Sequence, residues 1–312
     1  MNTTNRTTIA MSTDGAPTPD ITAGPAYDRD AVVASMTRYY TLLSKMVSIN
    51  PADIELAPKK GRHDDEIPLE ALRLLGFSDS MIDFVRHAPF VGSNDRPVYY
   101  STSTLNYYRH LFNYPEEEYQ LDDPHMVEMW PLPDQRIPEG IVPLSRPLQG
   151  DDRGTWWLLD TNNGELTAHG PYLERPPEEV PEGEEWRSAR PVTATAYFDG
   201  LYDDLMSLRI VPLPGKPRDV TRDMWPTEGM GDRQRWADEA KKIYIACRWP
   251  TAQLKSELEV RNLYDPCDWP TVRWFQRAKC RRLLIEMLER CSAWEKEERT
   301  RRFPPSTHEN PP

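Results

Sequence analysis

Few cysteines, few glycines, a modest apolar content and no long hydrophobic run characterise this chain, and each shortage removes a class of protein. Only four of 312 residues are cysteine (Cys247, Cys267, Cys280 and Cys291), all in the last quarter and none in a CxxC pair. That spacing argues against a zinc ribbon and against a disulfide-stapled secreted domain, and leaves buried thiols in a reducing compartment as the expectation. No stretch approaches the 18 apolar residues of a membrane-spanning helix. Met1 to Tyr27 is rich in Thr and Pro and lacks the apolar centre of a secretory signal, so a cytoplasmic or nuclear location is expected. Lys and Arg number 38 against 50 Asp and Glu, a net charge of -12 that repels nucleic acid and anionic membrane surfaces. With 15 glycines there is no Gly-rich phosphate loop, none of the six histidines stands in an HExxH pattern, and no serine sits in a GxSxG elbow. No metal site and no cofactor are expected.

What is present is proline and aromatic bulk: 31 Pro, 10 Trp and 14 Tyr. The aromatic area is enough for a core, and the prolines mark long irregular connections. Four segments follow: a disordered tail over 1–27, an α+β core domain over 28–214, a helical module over 215–302 and a loose tail over 303–312. Between Asp232 and Arg302 there are 17 Lys and Arg against 12 Asp and Glu, while the remainder carries 21 against 38. The body is acidic and the C-terminal module mildly basic, a polarity that lets them dock on each other.

Local patterns place the elements. A helix starts at Asp28 or Asp30, with Val32, Val33, Met36, Tyr40, Leu43 and Met46 at helical spacing, before Asn50-Pro51. Pro68 to Gly76 has proline at the start and glycine after the end of a short helix. Ser78 caps another running to about His87. Its one basic side chain before that, Arg86, is too little for a DNA-reading helix. Pro97 to Thr102 reads as one strand. Trp156-Trp157-Leu158-Leu159 is a buried strand turning through Asn162-Asn163-Gly164, whose Asn-Gly supplies the positive φ angles of a tight hairpin. Thr193 or Thr195 caps a helix whose apolar face is Phe198, Leu201, Leu205, Met206 and Leu208. The last helix spans about Thr271 to Arg301. The fold class is therefore α+β: a small antiparallel-type sheet packed by helices, then a mainly α-helical C-terminal extension.

Residues able to carry function fall into three groups. Tyr99, Tyr107, Tyr108, Phe112, Trp156 and Trp157 are aromatic side chains of the kind that anchor protein interfaces, although aromatics at mixed spacing more often fill cores. His87, His110 and His169, with Asp152 and Asp160 around the Trp156 strand, could supply acid-base chemistry if a histidine and a carboxylate met in an apolar pocket. Arg273, Arg277 and Arg281 lie on one helical face. They could grip an acidic protein surface or phosphate, against the ordinary alternative of a solvated face.

The element order resembles the SUKH superfamily of fungal cell-wall-synthesis regulators and bacterial toxin-immunity proteins. The residues that carry the likeness are Leu72 to Phe77 leading into Ile82-Asp83-Phe84, Ile141-Val142-Pro143-Leu144, Trp156 to Asp160 with Gly164, and Thr195-Ala196-Tyr197-Phe198 before Leu205. It covers about Tyr39 to Leu213. The Asn-Gly that the family tends to carry after its early helix is replaced by Ala88-Pro89-Phe90-Val91-Gly92. Arg86 to Phe90 also resembles a segment of filamentous-fungal proteins of unassigned function. The likeness implies a domain that binds other proteins rather than catalysing. The leading expectation is thus a non-catalytic intracellular adaptor or regulator with a protein partner. An accessory hydrolase or isomerase acting on a small metabolite, and a weak nucleic-acid binder using the C-terminal helix, are the alternatives.

Overall fold

Asp28 sets the beginning of the first helix: its carboxylate accepts from the Ala31 amide at 3.0 Å, and α1 (Arg29–Lys45) follows. In the computed structural model, residues 27–92, 97–108, 129–132, 135–148, 153–170, 180, 182–187, 189–214, 224–251, 260 and 275–302 are described. After α1 come β1 (Ile54–Glu55), α2 (Leu69–Leu74), α3 (Asp79–His87), β2 (Phe90–Val91), β3 (Pro97–Tyr99) and β4 (Thr102–Thr104). Then β5 (Ile141–Pro143), β6 (Ser145–Pro147), β7 (Trp156–Asp160), β8 (Glu165–His169) and β9 (Val192–Thr193) lead into α4 (Ala194–Met206). Beyond it lie β10 (Ile210–Pro212), β11 (Met224–Pro226), α5 (Gln234–Ala246) and α6 (Arg277–Arg302).

Among the described residues every strand pair is antiparallel. The largest sheet runs β5-β7-β8-β9, a second runs β3-β4-β6, and β1-β2 and β10-β11 form two ribbons. The fold is α+β, as the sequence pattern requires, with a helical C-terminal segment.

Trp157, fully buried, is the centre of the sheet's packing. Its ring lies 5.6 Å from Phe198 on α4, perpendicular to it, and 6.4 Å from Tyr39 on α1. Such edge-to-face geometry aligns the aromatic quadrupoles. Tyr39 also donates its hydroxyl to the Val98 carbonyl, so α1 is tied to β3. The same continuous core takes in Tyr244 and Trp249, with Phe275 stacked on Tyr244 at 5.7 Å, and the Tyr244 hydroxyl donates to Pro212 at 2.6 Å.

Three local expectations need correction. Pro97 to Thr102 is two strands, β3 and β4, reversed at Tyr100-Ser101; Ser101 adopts φ +49°, and the Thr102 hydroxyl donates to the Tyr100 carbonyl at 2.8 Å. The β7–β8 connection is the four residues Thr161 to Gly164, in which Gly164 alone is left-handed (φ +75°) and its amide donates to Asp160 at 2.8 Å. A four-residue loop needs one such residue at its end, not the two of a type I′ turn. The last helix begins at Arg277, because Phe275 is spent on packing against Tyr244 and the Gln276 main-chain amide donates a hydrogen bond to the Cys247 carbonyl.

Candidate functional site

An open groove of about 550 Å³ runs between the β3–β4 turn, the edge of the main sheet and one face of α4. Three local features build it. Gly154 lies against the turn so closely that a Cβ there would stand 2.2 Å from the Ser101 carbonyl oxygen, and the Thr155 amide donates to the Thr102 hydroxyl at 2.8 Å. These contacts hold Tyr99 and Tyr100 beside Thr155. Next, the register Leu166 to Val192 puts β9 at the sheet edge, and Val192 is left 44 % exposed. Finally, α4 starts directly after β9, anchored by a hydrogen bond that the Ala194 amide donates to the Gly164 carbonyl at 2.9 Å. It turns Phe198, Leu201 and Leu205 toward the core and leaves Ala196 and Gly200 exposed at the groove.

The groove is lined by aromatic faces with a charge of each sign. Tyr99 and Tyr197, both half-buried, pack their rings 6.2 and 5.9 Å from Trp157, which forms the floor behind them. Burial raises the pKa of both hydroxyls, with the Asp204 carboxylate adding to the effect, so they remain protonated across physiological pH. The Asp204 Oδ1 atom accepts from Arg209 Nε at 2.5 Å. The Arg153 guanidinium lies over the Tyr100 ring at 5.7 Å.

Other residues singled out in the sequence lie elsewhere. Tyr107 and Tyr108 are core residues, not contact surface: their hydroxyls donate to Pro143 at 2.5 Å and to Val85 at 2.7 Å, and Arg62 covers the Tyr108 ring at 4.4 Å. Trp157 is likewise removed from any contact surface by complete burial. Trp156, half-buried, packs toward a small cluster of Trp130, Ile141, Leu158 and Trp186. Among the described residues, Tyr99 alone of the expected aromatic set lines the groove. Phe112, His110, Asp152 and Arg273 lie outside the described residues.

Among the described residues, His87 and His169 are not brought together with Asp160, and His87 Nδ1 lies instead 3.6 Å from the Asp83 carboxylate. His87 fills the space over Gly61, where a Cβ would meet its ring at 2.7 Å, and its Nδ1 lies 2.8 Å from the Asp83 carbonyl. His169 pairs with Trp156 while Asp160 pairs with Glu165, so the two sit at opposite ends of the β7–β8 pair, about 13 Å apart at strand rise. Asp160 is occupied locally by the Asn162 amide at 2.9 Å. Among the described residues, no group of His, Cys, Asp and Glu could hold a metal ion, and no helix is long and apolar enough to cross a membrane. The basic stripe is also divided. Arg277 is half-buried and donates to the Met46 and Ile49 carbonyls, while Arg281 is exposed.

Sequence reading missed Tyr100, Tyr197, Gly200 and Asp204. The available signal is the spacing Ala196, Gly200, Asp204, which places two small residues and one carboxylate on a single face of the helix. No protein-family model, curated protein or solved structure matches the chain.

Proposed function

We propose that this chain is a non-catalytic protein-binding module, an adaptor or regulator of the cytoplasm or nucleus, whose partner docks in the groove between the Tyr99-Tyr100 turn and α4. The observation that carries this reading is the groove's make-up: half-buried tyrosine faces, the exposed Val192 edge and the bare surface at Ala196 and Gly200 lie side by side. Tyrosine presents a large stiff face with a polar tip, the combination that anchors protein interfaces. The resemblance to the SUKH superfamily implies the same kind of activity.

The test is photo-crosslinking from Ala196, an exposed groove position, in the native cells, with exposed Leu74 as the control site. A discrete protein adduct from position 196 and none of the same mass from position 74 is expected. The same pattern from both sites, or no adduct from 196, overturns the reading.

A further inference from the structure

Gly200 occupies the interior of α4, where glycine is less favourable than alanine by about 1 kcal/mol. Two reasons usually explain such a residue, a left-handed backbone or a neighbour too close for a Cβ. Neither applies: the helix is regular there, and a Cβ built on Gly200 meets nothing within 4 Å. The space that the missing side chain leaves open belongs to the groove. It is the shape wanted where another backbone approaches a helix closely.

The remaining walls narrow what that backbone is. Tyr99, Tyr100 and Tyr197 offer aromatic faces along an open trough, the surface on which a polyproline II segment seats its rings, since that conformation is extended, preformed and costs little ordering entropy. Charge then selects among such segments. Among the described residues Asp204 is the only carboxylate that lines the groove, where it accepts from Arg209, and α4 carries Asp199, Asp203 and Asp204 with no Lys or Arg, Asp199 being paired with Arg38 of α1. The chain as a whole bears -12, so a basic segment is drawn to it at long range.

We infer that the groove binds a proline-rich peptide segment of a partner protein, with its backbone against Gly200 and a Lys or Arg side chain on Asp204. This rests on the protein-binding reading above and adds the chemistry of the partner. A helix laid against Ala196 and Gly200 is the competing occupant.

The deciding experiment is selection of a phage-displayed library of random 12-residue peptides on the full chain, in parallel with Gly200→Leu and Asp204→Asn. The Leu side chain has open space to enter, and thermal unfolding of both variants verifies the fold. Enrichment of proline-containing peptides with one basic residue is expected, recovered about tenfold less on G200L and D204N. A groove-dependent motif of another kind, such as apolar residues three and four apart, overturns the proline-rich partner while the protein-binding reading stands. Absence of any motif that G200L diminishes overturns both. If a proline-rich basic motif is lost on G200L and unaffected by D204N, the charge contact is wrong and the inference fails in that part.

Discussion

Arg277 and Met46 stand 231 residues apart in the chain and share a hydrogen bond, from the guanidinium Nε to the main-chain carbonyl at the end of α1. The same side chain donates from Nη2 to the Ile49 carbonyl at 3.1 Å. The start of α6 is thereby fastened to the first helix, and a residue that the sequence offers as part of a basic binding face is a structural clasp. Arg277→Met keeps the apolar stem and leaves two carbonyls without their donor. Loss of hydrogen bonds to a charged group predicts destabilisation of about 1.5–3 kcal/mol. Arg281→Met, four residues on and exposed, is expected to change stability by less than about 0.5 kcal/mol. Urea unfolding at unchanged slope measures both, and equal midpoints for the two variants would refute the clasp.

Trp157 makes ring contacts with Tyr39, Tyr99, Tyr197 and Phe198 from a fully buried position. Trp157→Ala is expected to cost about 3–5 kcal/mol, the range for deleting a large aromatic from a core. That is a large part of the 5–15 kcal/mol that holds a typical domain together. Replacing Tyr107, Tyr108 and Trp157 together by Ala would unfold the protein, so a partner lost on that triple variant reports unfolding, not a contact. Near-ultraviolet circular dichroism distinguishes the cases; a native spectrum for the triple variant would contradict the packing described.

The helices were legible because their signals are local. Asp28 caps α1, Pro68 and Gly76 bracket α2, and the apolar spacing of Phe198, Leu201 and Leu205 gives the inward face of α4. Strand β7 was legible for the same reason, as a short run of bulky residues. The β3–β4 hairpin was not, because Tyr100-Ser101 carries no Gly or Asn to announce a reversal. Its turn is held from outside, by Gly154 and by the Thr155 amide on Thr102, 53 residues away. The groove is not legible for the further reason that it joins separated parts of the chain, so the sequence marks Tyr99 as an aromatic anchor and Tyr197 and Gly200 only as helix.

His169, on β8, has its pKa lowered by burial, which disfavours the charged imidazolium. The sign of the pH effect follows. Below the ordinary value near 6.5 the unfolded chain takes up a proton that the folded chain refuses, so this residue lowers stability as pH falls through that point. The loss levels off once the pH is below the folded-state pKa, and above about pH 7 there is no contribution. His169→Gln is expected to flatten the stability curve between pH 7 and 5 relative to the unsubstituted protein. Parallel curves for the two proteins, measured by urea unfolding at each pH, would rule this out.

Cys247, Cys280 and Cys291 are all buried free thiols, and burial pushes Cys247 and Cys280 above the usual thiol pKa. A thiol that is both inaccessible and protonated is a poor nucleophile. Brief treatment of the native protein with iodoacetamide at pH 7.5 is therefore expected to leave these three unmodified, and addition of urea past the unfolding midpoint to expose them together. Peptide mass spectrometry reads each site. Rapid alkylation of Cys280 in native buffer would show that the α5–α6 packing opens readily.

Gly200→Ala separates what the fold wants from what the groove wants. The added methyl meets no atom within 4 Å, and the backbone is already helical, so the substitution restricts the unfolded chain without straining the folded one. A gain of about 0.4–1 kcal/mol in stability is expected, visible as a raised urea midpoint. A loss would mean that the α4 backbone at this position is not the unstrained helix on which the groove's shape depends. A gain accompanied by weaker partner binding would show that the chain gives up stability here to let another backbone come close.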